Sequence, residues 1–222
     1  MVGSHPLGVK WGRAVGSAIA CCLVLVSDAE AQGQALQPQL EGRELLAALQ
    51  KGGLVFLMRH MSTDSFVPEE GAQENDACAN QRNLDERGKR EAKEVGQAFE
   101  RLEIPVGPVL TSPYCRCVDT GMLAFGSAEK VEELSVFDEL SGADKDARGK
   151  QIRQMLNTAP PEGKNTVLIT HTGTLLYSFG LQTTPEGIVH IFRPAEFGNA
   201  SYLGRVTPEE WTTLIGVSAS GP

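Results

Sequence analysis

Beyond residue 50 the chain alternates between short continuous apolar runs and longer stretches whose apolar side chains recur every third or fourth position. Leu54–Met58, Val109–Thr111 and Thr166–Thr170 are the runs, a pattern suited to strands buried on both faces of a parallel sheet. Val131–Val136, Ile188–Phe192 and Ser201–Val206 are read as further strands. Between them, Glu44–Gln50 makes a short amphipathic helix stopped by Lys51-Gly52-Gly53. Asp85 is placed to cap a helix running through Leu102, whose Ala92, Val95, Phe99 and Leu102 form one apolar stripe. Ser112-Pro113 opens a helix to about Phe125, with the proline in its first turn. Lys145–Asn157 is a polar helix closed off by Pro160-Pro161, and Thr174–Gly180 a short helix. Residues 61–83 are polar and irregular, longer than a simple connector requires. Strands alternating with helices predict an α/β fold, a three-layer sandwich around a mostly parallel central sheet. Ligands in such folds bind outside the carboxyl ends of the strands.

The N-terminal stretch is set apart. Lys10 and Arg13 precede the small-to-apolar run Ala14–Val26, and Ala29-Glu30-Ala31 supplies a small-x-small pattern before Gln32. Residues 1–31 therefore read as a secretory signal peptide, residues 32–43 as a flexible lead-in, and 44–222 as a single domain. The apolar run falls short of the roughly 20 residues a spanning helix needs, so stable membrane insertion after cleavage is not expected. The net charge of -8 argues against nucleic-acid binding, which relies on a basic face. Three of the five cysteines, Cys78, Cys115 and Cys117, lie beyond the leader. In an oxidising compartment one pair should bridge. Cys78 with Cys115 is the first expectation, and Cys78 with Cys117 the competitor. Zinc ligation is disfavoured because the usual close pairs of ligands are missing.

The chemistry gathers at the ends of the buried runs. Arg59-His60 follows the first, Arg116 lies one turn beyond the second, and His171 follows the third. Arginine presents a planar fork of donors matched to phosphate oxygens. Neutral imidazole is nucleophilic near neutral pH. Two arginines and two histidines at one sheet edge thus describe a phosphoryl pocket with a nucleophile inside it. His190, within a strand-like run, reads as structural.

In order and context these segments resemble the histidine phosphatase (phosphoglycerate-mutase-like) superfamily. The resemblance rests on Arg59-His60, on Asn83-Leu84-Asp85-Glu86-Arg87-Gly88, on Ser112-Pro113-Tyr114-Cys115-Arg116 followed by Asp119-Thr120, and on His171. Cys78 before Gln81-Arg82-Asn83-Leu84 is similar to the small exported bacterial members. The resemblance implies that His60 is the nucleophile and becomes phosphohistidine, that Arg59, Arg116 and His171 hold the phosphoryl oxygens, and that no metal or cofactor is needed. Thr63 and Thr172 become candidate substrate contacts, and Asp64 a residue that touches substrate or caps a turn. The proton donor would be Glu139, in Phe137-Asp138-Glu139-Leu140, with Asp138 or Glu186 as alternatives. One departure is Met61, where the family has glycine; its side chain is expected to narrow the pocket mouth. The implied protein is an exported, periplasmic, metal-independent phosphomonoesterase acting on a small phosphorylated substrate. The competing expectations are a non-catalytic binder of phosphorylated ligands and a redox protein built on Cys115-x-Cys117.

Overall fold

Each apolar run forms a strand in the computed structural model, which describes residues 1–3, 36–64, 77–137 and 140–219. The chain divides into two units, Met1–Gln34 and Ala35–Pro222, and the sheet and its helices belong to the second. The predicted leader, apart from residues 1–3, lies outside the described residues, as do Asp138 and Glu139. Among the described residues no helix is long and apolar enough to cross a membrane.

In chain order the elements are α1 (Gly42–Lys51), β1 (Val55–Arg59), α2 (Glu86–Arg101), β2 (Val106–Thr111), α3 (Cys115–Phe125) and β3 (Glu129–Lys130). They continue as α4 (Gly142–Asn157), β4 (Asn165–Thr170), α5 (Thr172–Phe179), β5 (Val189–Arg193), β6 (Ser201–Val206) and α6 (Glu210–Ala219). The strands form one six-stranded sheet in the order β3-β2-β4-β1-β5-β6. β4 is parallel to β1 and β2, and β2 to β3, whereas β5 is antiparallel to both β1 and β6. Only β5 therefore runs against the rest, and the sheet is mostly parallel.

Successive residues of β1 face opposite sides, as strand geometry requires. Phe56 and Met58 join a core with α1, α2, α3 and α6, and Val55 and Leu57 join a second core with α4 and α5. This gives the expected three layers. Asn165, fully buried, accepts from Leu54 N–H and donates to the Leu49 and Pro105 carbonyls, tying β4 to two neighbouring segments.

Several elements differ from the sequence reading, each for a local reason. Val131–Val136 does not form a strand: pairing stops at Lys130, and Glu132–Leu134 makes a 3₁₀ turn. Strict alternation there would put one glutamate on each face, whereas the turn buries Leu134 alone. α3 begins at Cys115, not at Pro113, because Ser112 still donates its N–H to Ile169 O and stays extended. α5 begins at Thr172 with His171 at its N-cap, and α4 at Gly142 behind a Ser141 cap. The end of the lead-in is held, since Gln39 and Leu40 both donate to Leu203 O. α6 was not expected from the sequence. Its signal is a capping box, in which Thr207 Oγ1 accepts from Glu210 N while Glu210 Oε2 accepts from Thr207 N.

Candidate active site

Parallel pairing brings the carboxyl ends of three strands level. Arg59 is opposite Thr170 and Thr111 opposite Ile169, so His60, His171 and Ser112 leave the sheet side by side. Arg116 follows as the second residue of α3. The predicted residues Arg59, His60, Thr63, Arg116 and His171 thus gather at one edge, with both histidines and Arg116 buried.

His60 is fixed by its backbone and by its ring. Its N–H donates to Thr170 O and its carbonyl accepts from Gly187 N. Nδ1 lies 2.9 Å from Met61 O. A carbonyl only accepts, so Nδ1 carries the ring proton and Nε2 keeps its lone pair. Burial above all, then the Arg116 guanidinium, hold the His60 pKa well below the usual 6.5; the Met61 carbonyl opposes them, and Arg59 and Arg82 lower it by smaller amounts.

His171 has the opposite tautomer. Arginine only donates, so the 3.1 Å contact from Arg116 Nη2 makes Nδ1 an acceptor. The proton sits on Nε2, which donates to Ser112 Oγ at 2.7 Å. Burial first, and then Arg116, keep this ring neutral as well. The Arg116 guanidinium also lies over the Tyr114 ring, 4.6 Å from its centroid.

A second group of contacts centres on Glu186, in the turn before β5. Its Oε1 accepts from Arg59 Nη2 at 2.7 Å and from Thr63 Oγ1, while Oε2 accepts from Thr63 N. Arg59 Nη1 donates to Thr183 O. Arg82 reaches the same group, donating to Thr63 Oγ1 at 2.7 Å. Sequence reasoning missed Arg82. The bridge pairing Thr63 with Leu84 folds the long loop back on itself and returns residue 82 beside residue 63. The adjacent Asn-Leu-Asp leading into the Asp85 cap, whose carboxylate accepts from Gly88 N, is the signal that could have found it.

Two expectations about this loop meet different outcomes. Cys78 is bonded to Cys115, resolving the choice between partners, and Cys117 is buried with its sulfur 3.6 Å from His171 Nε2. Met61 does not narrow the pocket mouth. It is fully buried in the core against Gly187 and keeps an ordinary negative φ. A Cβ at Gly187 would sit 2.5 Å from Met61 Sδ and 2.9 Å from Pro208 Cγ, so a bare glycine across the turn makes room for the methionine.

Of the other predicted residues, Thr172 is the half-buried first residue of α5, directly after His171. His190 is buried outside the site, paired with Tyr202 Oη and Gln182 O. Among the described residues no group of three or more His, Cys, Asp or Glu side chains is arranged to hold a metal ion.

The disulfide spans 37 positions and fastens the loop to the residue next to Arg116; Gln81 Oε1 also accepts from Cys115 N there. Loop-closure entropy sets its worth at about 4 kcal/mol at most. Cys78→Ser should therefore lower the melting temperature and also the activity, because Arg82 and Arg116 lose a shared tether. Thermal melts and phosphate-ester assays check both effects.

The buried neutral histidines predict acid sensitivity. Burial lowers the His190 pKa to about 4, and His60 and His171 are lowered too. Unfolding lets all three take up protons at the ordinary histidine pKa, so the unfolded state binds more protons below about pH 6.5 and stability falls as pH drops. Melting temperatures should decline from about pH 6.5 toward pH 4, and a flat profile over that interval would contradict the placement of these rings.

A buried neutral imidazole beside three guanidiniums, at the carboxyl ends of parallel strands in an α/β sandwich, forms a pocket suited to a phosphoryl group. Residues 55–166, about half of the chain, match the model of the histidine phosphatase superfamily (branch 1), and the chain belongs to that family. The matched span includes Arg59, His60, Arg82 and Arg116 and ends before His171 and Glu186. Among solved structures, a phosphoserine phosphatase from Entamoeba histolytica in complex with 3-phosphoglyceric acid is 12% identical, with a TM-score of 0.51 over 69% of this chain and 96% of that one. The protein histidine phosphatase SixA complexed with tungstate is 18% identical, with a TM-score of 0.49 over 71% of this chain and 98% of that one. A SixA-type putative phosphohistidine phosphatase from Agrobacterium tumefaciens is 17% identical, with a TM-score of 0.46 over 70% and 99%. The likeness to the Entamoeba histolytica enzyme, at 12% identity, is one of fold. Comparison with curated proteins gave no match.

Proposed function

We propose that the protein is a phosphomonoesterase that hydrolyses small phosphate esters through a phosphohistidine on His60. The observation carrying this reading is the Nδ1–Met61 O bond at 2.9 Å, which fixes the tautomer with its lone pair on Nε2. Attack forms the Nε2–P bond and breaks the bond from phosphorus to the leaving oxygen, which departs with the electron pair and takes a proton from solvent water. Water then attacks phosphorus, the N–P bond breaks, its electron pair returns to Nε2, and a proton is released with the phosphate.

Arg59, Arg82 and Arg116 compensate charge on the non-bridging oxygens, the main task in phosphoryl transfer. Among the described residues, three guanidiniums against one carboxylate, with both rings neutral, suit a phosphomonoester dianion, and this supports a metal-independent reaction. His171 enters as the residue that aims Arg116, since its Nδ1 accepts from that guanidinium. The leader pattern and the disulfide support export to an oxidising compartment such as the periplasm.

The test is rapid quenching of the protein with a labelled aryl phosphate in the presence of EDTA. Label in an acid-labile, base-stable bond to the peptide containing His60 is the expected result. Turnover without such an intermediate would overturn the mechanism, and affinity for phosphate with no turnover would favour a binding protein.

A further inference from the structure

When Nε2 attacks phosphorus, the His60 ring keeps its Nδ1 proton and gains a bond, so it becomes a cation. That cation forms at a position where burial and three arginines disfavour positive charge. A reaction through this ring needs a compensating negative charge nearby, on the side that does not meet the substrate.

Glu186 stands there. The ring atom it approaches is Nδ1, 4.0 Å from Oε1, the nitrogen that keeps its proton while Nε2 attacks. Its carboxylate is held by Arg59 and by both Thr63 donors, and the next residue, Gly187, donates to His60 O. The turn carrying the carboxylate is thus bonded to the residue whose charge changes. A group protonating the leaving oxygen must lie beyond phosphorus, in line with Nε2, so a carboxylate at the Nδ1 edge is poorly situated for that task.

We propose that Glu186 is a positioning residue that balances the positive charge of N-phosphorylated His60. The proposal rests on the phosphohistidine reading above. It assigns Glu186 a task separate from proton donation, and it predicts a distinctive dependence on the leaving group. Charge on the ring is the same whatever the substrate, so losing the carboxylate should slow every ester by one common factor.

The experiment compares wild type, Glu186→Gln and Glu186→Asp on para-nitrophenyl phosphate and on phosphoserine, with the inhibition constant of inorganic phosphate measured for each. Glu186→Gln should slow phosphoryl-enzyme formation by about tenfold to a hundredfold on both substrates. Phosphate should bind it at least as tightly as wild type, because the pocket gains one unit of positive charge. Glu186→Asp, which keeps the charge, should recover most of the lost rate. A loss confined to phosphoserine would make Glu186 the proton donor and overturn the proposal. So would wild-type rates in Glu186→Gln, loss of phosphate binding along with activity, or an aspartate variant as slow as the glutamine one. The phosphohistidine itself is judged separately, since a His60→Ala protein that still turns over would remove it.

Discussion

His60→Ala should abolish hydrolysis of para-nitrophenyl phosphate, lowering kcat by at least about a thousandfold, the scale on which loss of a nucleophile is felt. The other buried ring, His171, is not set to replace it. Its Nε2 is committed as donor to Ser112 and its Nδ1 as acceptor from Arg116, so it offers no lone pair for attack. The variant should still bind inorganic phosphate or vanadate, because the three guanidiniums remain. It should also stay folded: the substitution removes a ring whose burial disfavours its charged form, and the His60 backbone bonds to Thr170 and Gly187 do not involve the side chain. Residual turnover above about one per cent in a folded, phosphate-binding His60→Ala protein would mean that water attacks the ester directly. The Arg/His pocket would then act by charge alone.

Much of this site was legible because its residues stand at the ends of apolar runs. A run such as Leu54–Met58 forces a buried strand, a parallel sheet brings such strands level, and whatever comes after them meets at one edge. Arg59, His60 and His171 could therefore be read together although more than 100 positions separate the first from the last. What failed to show depended on contacts that no local pattern encodes. Arg82 joins the pocket only because a single bridge, Thr63 to Leu84, doubles the loop back. Met61 reads as an obstruction in sequence because it adjoins the nucleophile, whereas Gly187 opens space for its side chain on the core side. The disulfide partner was ambiguous in sequence, yet residues two apart on a helix point to nearly opposite faces: Cys115 meets the loop and Cys117 the core. α6 was legible and overlooked, since Thr207-Pro208-Glu209-Glu210 carries the capping-box spacing. The proton donor is a different case. Glu139 and Asp138 lie outside the described residues, and Glu186 is a carboxylate that reaches the cluster from the Nδ1 side.

Arg116→Ala should produce the second large effect, a fall in kcat/KM of about a hundredfold or more, and it should move the pH profile as well. The side chain is almost wholly buried, stacked on Tyr114 and bonded to His171 Nδ1, so it cannot be replaced by a neighbour swinging in. In the proposed mechanism its fork would give the phosphoryl oxygens paired donors that matter most as charge shifts in the transition state. After burial, Arg116 is also the largest influence lowering the pKa of both His60 and His171. Removing a nearby cation makes protonation easier, so both values should rise toward 6.5. The proposed nucleophilic attack needs the neutral ring, and the acid limb of the profile should therefore shift to higher pH in Arg116→Ala. Arg116→Lys separates the two contributions. It keeps the positive charge, so the acid limb should stay near its wild-type position, but it loses the planar fork, so the rate should remain well below wild type. A lysine variant with full activity would show that only a point charge is needed there. An alanine variant whose acid limb does not move would show that Arg116 does not set the protonation of the nucleophile.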